Sequence, residues 1–183
     1  MILKSIIKIM DAYRSFARRH PVCFTGINLI FTCLWGYLIM FFSGEDAEES
    51  GSRSAEILVK IVNAVAPSAD ITLENYNSFA ALENMERVIR KMAHMTEYGV
   101  LAALVWATLF GFAALSRKLA YLIPVLCVII LGTCDEINQT TVSGREGSWI
   151  DVAIDAAGAV IAVYIIYRLT LFYRRMKSNR HFS

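Results

Sequence analysis

The longest apolar stretch of the chain runs from residue 22 to residue 42 and contains no charged residue. A helix over this stretch would be about 31 Å long, at about 1.5 Å per residue, which is enough to cross the hydrocarbon layer of a bilayer. Further apolar runs occupy residues 98–115, 119–132 and 152–167. The pattern predicts an all-α integral membrane protein with four transmembrane helices.

The run 119–132 is too short to cross a bilayer by itself. It would give about 21 Å of helix, against about 30 Å of hydrocarbon, so we expect this helix to continue to Gln139. With similar extensions of the other runs, the predicted transmembrane helices cover residues 22–42, about 95–115, about 119–139 and about 150–172.

Two segments outside these runs have amphipathic patterns. Residues 1–21 alternate apolar side chains with lysine and arginine, which predicts a leader helix lying on the cytoplasmic surface of the membrane. In the 43–90 loop, apolar residues recur at helical spacing from Ser54 to Pro67, and again from Leu82 to Met92. The loop is therefore expected to contain short interfacial helices, with residues 67–78 irregular between them.

The positions of lysine and arginine predict the orientation. These residues concentrate in the leader, in the short loop 116–118 and in the tail from Arg168 onward. Because positively charged loops stay in the cytoplasm, both termini are expected there, and the 43–90 and 140–150 loops outside. A net charge of +2, without a basic and aromatic surface, gives no argument for nucleic acid as a partner.

Polar side chains occur where three predicted transmembrane helices reach the outer face. Arg90, His94 and Glu97 share one helix face by their spacing, and other polar groups lie at the end of the third span and the start of the fourth. Ionisable groups at the edge of hydrocarbon are costly and usually functional. The sequence thus predicts one polar site, which also includes Asp135, Glu136, Gln139, Arg145, Asp151 and Asp155.

Several of these residues also have simpler interpretations. Ser148 and Asp151 match a capping box, so Asp151 could serve only to start the fourth helix. Arg90 and Arg145 could neutralise carboxylates in a buried network that locks the helices together. His94 alone is more often a hydrogen-bonded structural histidine than a ligand or a base.

The predicted site contains more acids than bases. Its acids are Glu97, Asp135, Glu136, Asp151 and Asp155, and its bases are Arg90, Lys91 and Arg145. In a partly dry site, the excess must be relieved by a protonated carboxylate, a bound cation or a basic group of a ligand. A divalent metal is one alternative, although no HExxH or comparable spacing identifies it.

The residues 90–104 (RKMAHMTEYGVLAAL) and 135–159 (DEINQTTVSGREGSWIDVAIDAAGA), together with the four apolar runs, resemble the VanZ-like family of bacterial membrane proteins. One departure is TVSGR at residues 141–145, where the family often has FVPGR. The family's polar pattern falls here on His94, Glu97, Tyr98, Asp135, Glu136, Gln139, Arg145, Asp151 and Asp155.

The resemblance implies a single domain over residues 1–183 in the bacterial cell membrane, in a family named for a protein associated with teicoplanin resistance. The first functional hypothesis is binding of a membrane lipid, a lipid-linked cell-wall precursor or a glycopeptide. Its binding residues would be Arg90, His94, Tyr98, Gln139, Arg145, Asp151 and Asp155.

The alternative is a membrane-embedded hydrolase or transferase acting on a lipid-linked substrate. Glu97, Asp135 and Glu136 would then be the catalytic acids, bases or metal ligands. Transport of a cation or proton is a third hypothesis, but the spans offer few polar residues beyond the site to line a path.

Overall fold

The computed structural model describes residues 2–45, 47–67, 71–72, 80–110, 115–142 and 146–179. In this part of the chain the regular structure is α-helical, which confirms the predicted all-α class. The six helices are α1 (Ile2–Arg19), α2 (Pro21–Ser43), α3 (Ala47–Val65), α4 (Ala80–Phe110), α5 (Arg117–Gln139) and α6 (Trp149–Asn179).

Three of the described helices, not four, are long and apolar enough to cross a membrane. They are α2, α5 and α6, the last over Trp149–Ser178. The helix α4 does not qualify because its first half is rich in charged residues, and its uncharged described part, 98–110, is only about 20 Å long. The prediction of four spans is therefore corrected to three helices that are apolar enough within the described residues. Residues 111–114, at the end of the predicted second span, lie outside the described residues.

The apolar side chains of these three helices point mainly away from the rest of the protein. Only 11% of the most apolar window of α2 is buried, and 28% of the corresponding windows of α5 and α6. Ile30, Ile130 and Ile165 are all at least half exposed. Such surfaces are stable where lipid is the solvent, since a bilayer removes the cost of exposing apolar groups.

The leader is the helix α1, and it joins α2 at His20. Pro21 occupies the first position of α2, where its missing N–H costs no helical hydrogen bond. The Tyr13 ring packs edge-on against Phe24 with 5.0 Å between centroids, so the apolar side of α1 lies on α2. Its basic side chains Arg18 and Arg19 are exposed.

The helix α4 forms the centre of the bundle. It packs most extensively against α6, and also against α2 and α5. Tyr98 and Ala102 of α4 are completely buried in a core that includes Val128 of α5 and Ala159 of α6. Because other helices surround α4, it does not need the continuous apolar surface that a lipid-facing span requires.

The helix α3 packs on the first half of α4. It starts at Ala47, earlier than the predicted start at Ser54, and its Leu58 is fully buried against α4. The Asn63 side chain exchanges two hydrogen bonds with the backbone of Ile71, at 2.7 and 3.0 Å. Most of the predicted irregular loop 67–78 lies outside the described residues.

The bundle has two chemically different ends. The end of α2, the first half of α4, the end of α5 and the start of α6 meet at one of them, which we call the polar end. The basic end contains α1, the end of α4, the start of α5 and the end of α6. Contacts such as Gln139 to Ser43 and Tyr13 to Phe110 define the two ends.

Candidate functional site

The last turn of α5 places three polar side chains inside the bundle. The exposed fractions of Asp135, Glu136 and Gln139 are only 1%, 8% and 9%. They can reach this position because α5 continues to Gln139, as the length argument predicted. Burial of two carboxylates and an amide is costly, so their partners determine what the site can do.

Gln139 connects α5 to α2. Its side-chain Nε2 donates to the Ser43 hydroxyl at 2.8 Å and to Asp135 Oδ2 at 3.1 Å. The spacing of four residues puts Asp135 and Gln139 on the same face of α5. This chain of hydrogen bonds fixes one oxygen of Asp135.

Asp155 approaches Asp135 from α6, and its exposed fraction is 2%. A glycine on α5 makes the approach possible: a Cβ atom at Gly132 would lie only 3.3 Å from Asp155 Oδ2. The Tyr98 ring borders the same point, 4.0 Å from that Cβ position. Three helices therefore contribute to one buried cluster.

Two carboxyl oxygens in this cluster have no hydrogen-bond partner within the described residues. They are Asp135 Oδ1 and Asp155 Oδ1, and both are buried. The two aspartates also lie within electrostatic reach of each other. Buried polar atoms are rarely left without partners, so the cluster has free capacity for a hydrogen-bond donor, a proton or a cation.

Glu136 faces the turn between α5 and α6. Its Oε2 accepts a hydrogen bond from the Ser148 backbone N–H at 2.7 Å. Gly147 passes so close that a Cβ atom there would lie 2.7 Å from the Glu136 carbonyl oxygen. The contact holds the start of α6 against the end of α5.

Cationic side chains of α4 border the cluster. Lys91 forms an ion pair with Asp151 of α6, and Arg90 forms one with Glu86 on its own helix. His94 Nδ1 lies 3.8 Å from Glu97 Oε2. None of these described ion pairs involves Asp135 or Asp155.

These groups surround a cavity of about 230 Å³ between α4, α5 and α6. It contains both signs of charge and opens at the polar end. We call it the polar cavity; its lining consists of Arg87, Arg90, Lys91, His94, Glu136, Gln139, Glu146, Asp151, Ile154 and Asp155.

A second cavity, of about 420 Å³, lies on the other side of Arg90 and His94, between the end of α2, α3 and α4. Glu97 lines this cavity and not the polar cavity. The two cavities share the side chains of Arg90 and His94, so a ligand in one could contact residues that also face the other.

The structure thus brings most of the predicted site residues together. Arg90, His94, Glu136, Gln139, Asp151 and Asp155 line the polar cavity, while Tyr98 and Asp135 lie in the adjacent buried cluster. Glu97 faces the second cavity. Arg145 lies outside the described residues.

The simpler interpretations are partly realised. The Ser148 hydroxyl accepts a hydrogen bond from the Ile150 N–H at the start of α6, while the Asp151 side chain pairs with Lys91. Arg90 neutralises a carboxylate, but that carboxylate is Glu86, which the sequence interpretation did not include.

Four residues of the site were missed from the sequence. Glu86 and Arg87 precede Arg90 by one turn or less, so extending the same helix face would have found Glu86. Ser43 gave no signal, because a serine after an apolar run is ordinary. Glu146, next to the predicted Arg145, lines the polar cavity.

No group of three or more His, Cys, Asp or Glu side chains in the described ranges is arranged to hold a metal ion. The carboxylates of the buried cluster come close as a pair, which by itself does not make a metal site.

An all-helical bundle with three helices suited to a membrane and carboxylates buried at one end defines a class of membrane protein with a polar site at a helix end. Comparison with family sequence models identifies the family: residues 28–173 match VanZ/LLP1. The chain therefore belongs to the VanZ-like family, which is associated with glycopeptide resistance. No curated protein and no solved structure shows significant similarity to it.

Proposed function

We propose that this protein crosses the bacterial cell membrane four times, with both termini in the cytoplasm and the polar cavity on the outer face. Support for α4 as the additional span comes from its contacts with α2. The Trp35 indole donates to the Glu97 carbonyl oxygen at 2.9 Å, and the Thr32 and Thr108 hydroxyls lie 3.1 Å apart. The part of α4 from Glu97 to Thr108 therefore runs beside α2.

The proposed function is binding of a lipid-linked component of the cell envelope through its head group. The observation that carries it is the polar cavity, where arginine, lysine and carboxylate side chains converge beside two buried carboxylate oxygens without partners. The phosphate of the head group would bind Arg87 and Lys91, since arginine and lysine are the usual phosphate ligands. Hydroxyl, amide or ammonium groups would meet Asp155 and Glu136.

The dimensions support a head group rather than a complete glycopeptide. A volume of about 230 Å³ is below the range of about 300–1,000 Å³ that holds a drug-sized molecule. A phosphate with an attached sugar or amine is smaller than a drug-sized molecule. The lipid tail attached to it would remain beside the bundle. Glycopeptide resistance would then follow from an altered supply or exposure of the envelope component.

Binding can be tested with the purified full chain in lipid nanodiscs and a fluorescent polyprenyl phosphate that carries a single sugar. Asp155→Asn keeps the size of the side chain but replaces its carboxyl group by an amide, and Arg87→Gln removes a cation from the rim. Both should weaken binding. The matched control is Glu56→Gln on α3, where an exposed carboxylate outside the cavity pairs with Lys60 at 3.8 Å. Equal binding by all variants would contradict the proposal.

The link to resistance needs a cellular measurement. Wild type, Asp155→Asn and Glu56→Gln should be expressed at equal levels in a teicoplanin-sensitive host. We expect the wild type and the control variant to lower susceptibility, and Asp155→Asn to behave like the empty vector. Equal susceptibility of vector and wild type would overturn the resistance role.

A second candidate function is a membrane-embedded hydrolase or transferase acting on a lipid-linked substrate. The specific observation in its favour is the buried pair Asp135 and Asp155 beside the Tyr98 hydroxyl, because neighbouring carboxylates in different surroundings can act as acid and base. Turnover of radiolabelled lipid-linked precursor by wild type, but not by Asp135→Asn, would support it. No turnover across a panel of envelope lipids would leave binding as the function.

A further inference from the structure

A large pocket lies at the basic end of the bundle, between α1 and the last turns of α6. Its volume is about 830 Å³, and it is remote from the polar cavity. Five basic side chains line it, against one carboxylate, that of Asp11. The basic residues are Arg14, Arg18, Arg19, Arg174 and Lys177.

The pocket is held together by contacts between α1 and α6. Asp11 accepts hydrogen bonds from the Tyr173 hydroxyl and from Lys177, the latter at 3.2 Å. The Arg14 guanidinium lies over the Tyr173 ring at 4.3 Å from its centroid. Asp11 is thus engaged with α6, and the positive charge of the pocket exceeds what this carboxylate can neutralise.

An apolar groove adjoins the basic pocket. It has a volume of about 230 Å³ and lies between α1, α4 and α6, where Met10, Trp106, Phe110 and Leu169 contribute to its walls. Arg14 lines both the pocket and the groove. A molecule with an anionic head and an apolar chain could therefore place its head on the arginines and its chain along the groove.

We propose that the basic pocket and the apolar groove together bind one anionic phospholipid, with its phosphate among Arg14, Arg18 and Arg174 and an acyl chain in the groove. Charge complementarity identifies the head group, because basic pockets between membrane helices bind anionic lipid head groups. The apolar groove favours a lipid over free phosphate, because free phosphate has no apolar chain that could contact the walls of the groove. The bound lipid would fasten α1 to α6.

Native mass spectrometry of the purified full chain can test this site. The protein would be exposed to equal amounts of phosphatidylglycerol and phosphatidylcholine, and the retained lipid measured for each variant. Because each basic residue contributes about one kcal/mol to attraction of anionic lipid, the double variant Arg18→Gln/Arg174→Gln should bind phosphatidylglycerol roughly thirtyfold more weakly. Arg175→Gln, the neighbour outside the pocket, should bind like wild type.

Two further measurements distinguish a phospholipid from free phosphate as the ligand of the pocket. Long-chain phosphatidylglycerol should bind more tightly than its short-chain form, and inorganic phosphate should compete poorly with the long-chain lipid. Complete displacement by inorganic phosphate would replace the lipid proposal with a phosphate site. An equal loss in Arg175→Gln would overturn the pocket in favour of diffuse surface charge. If the double variant does not remain monodisperse, Arg18→Gln alone provides the comparison.

Discussion

Gly158 of α6 lies directly against the backbone of Met95 in α4. A Cβ atom at residue 158 would come within 2.0 Å of the Met95 carbonyl oxygen. One turn along α4, a Cβ atom on Gly99 would lie 3.2 Å from the Gly158 carbonyl oxygen. This crossing of α4 and α6 therefore depends on two glycines, as is common where membrane helices approach without a hydrophobic driving force.

Gly158→Ala should destabilise the bundle, because the new methyl group would meet backbone that cannot rotate away. Overpacking of this kind costs about 1–3 kcal/mol. The loss can be measured as a lower midpoint of thermal unfolding in detergent. Gly26→Ala in α2 is the matched control, since no atom lies within 4 Å of its Cβ position. Equal midpoints for Gly158→Ala and the control would contradict the close crossing.

Much of the fold could be predicted from the sequence, because apolar runs of sufficient length and polar helix ends both leave a direct pattern. The number of helices that are apolar enough to span a membrane could not, because α4 packs against other helices and its hydropathy reflects protein neighbours instead of lipid. Its charged first half packs beside α3, and Leu58 and Leu82 form part of that contact. No local pattern shows which helix will occupy the centre.

Gln139→Leu should also destabilise the protein, for a different reason. The leucine fills similar space but leaves Asp135 Oδ2 and the Ser43 hydroxyl without this buried donor. A buried polar group that loses its partner costs about 1–3 kcal/mol. Thermal unfolding again provides the measurement.

Thr133→Val on the same helix is the control for Gln139→Leu. Among the described residues, the Thr133 hydroxyl donates to the Ile129 carbonyl oxygen of its own helix, at 2.7 Å, so its loss should change the unfolding midpoint little. If the two variants unfolded at the same temperature, the Ser43–Gln139–Asp135 chain would not contribute to stability.

The candidate site was predictable as a set of residues but not as a set of pairs. Helical spacing placed Arg90 and His94 on one face, and the polar ends of α5 and α6 indicated their partners. The actual pairing of Lys91 with Asp151 depends on how α4 packs against α6, which spacing within one helix does not determine. Likewise, Gly132 gave no sign that it makes room for Asp155.

The ion pair of Lys91 and Asp151 should couple α4 to α6. Both side chains are partly exposed, at 44% and 35%, so the coupling should be small, about 0.2–1 kcal/mol. A double-mutant cycle with Lys91→Met and Asp151→Asn can measure it from unfolding midpoints at low and high salt. Exchanging the two charges, with Lys91→Asp and Asp151→Lys, should recover part of the loss. A coupling energy of zero at low salt would contradict the pair.

The proposed crossing of α4 determines where the C-terminus lies. With four spans, both termini lie in the cytoplasm, so a C-terminal fluorescent protein fusion should fluoresce. With three spans, α6 would run outward and the same fusion would be exported and dark.

A cysteine in place of Glu146, in a chain whose four native cysteines are changed to serine, provides the independent measurement. Four spans place residue 146 outside, where an impermeant thiol reagent should label it in intact cells, whereas three spans would protect it. A dark fusion together with an unlabelled residue 146 would exclude α4 as a span, and with it the arrangement in which α2 and α5 both end at the polar end.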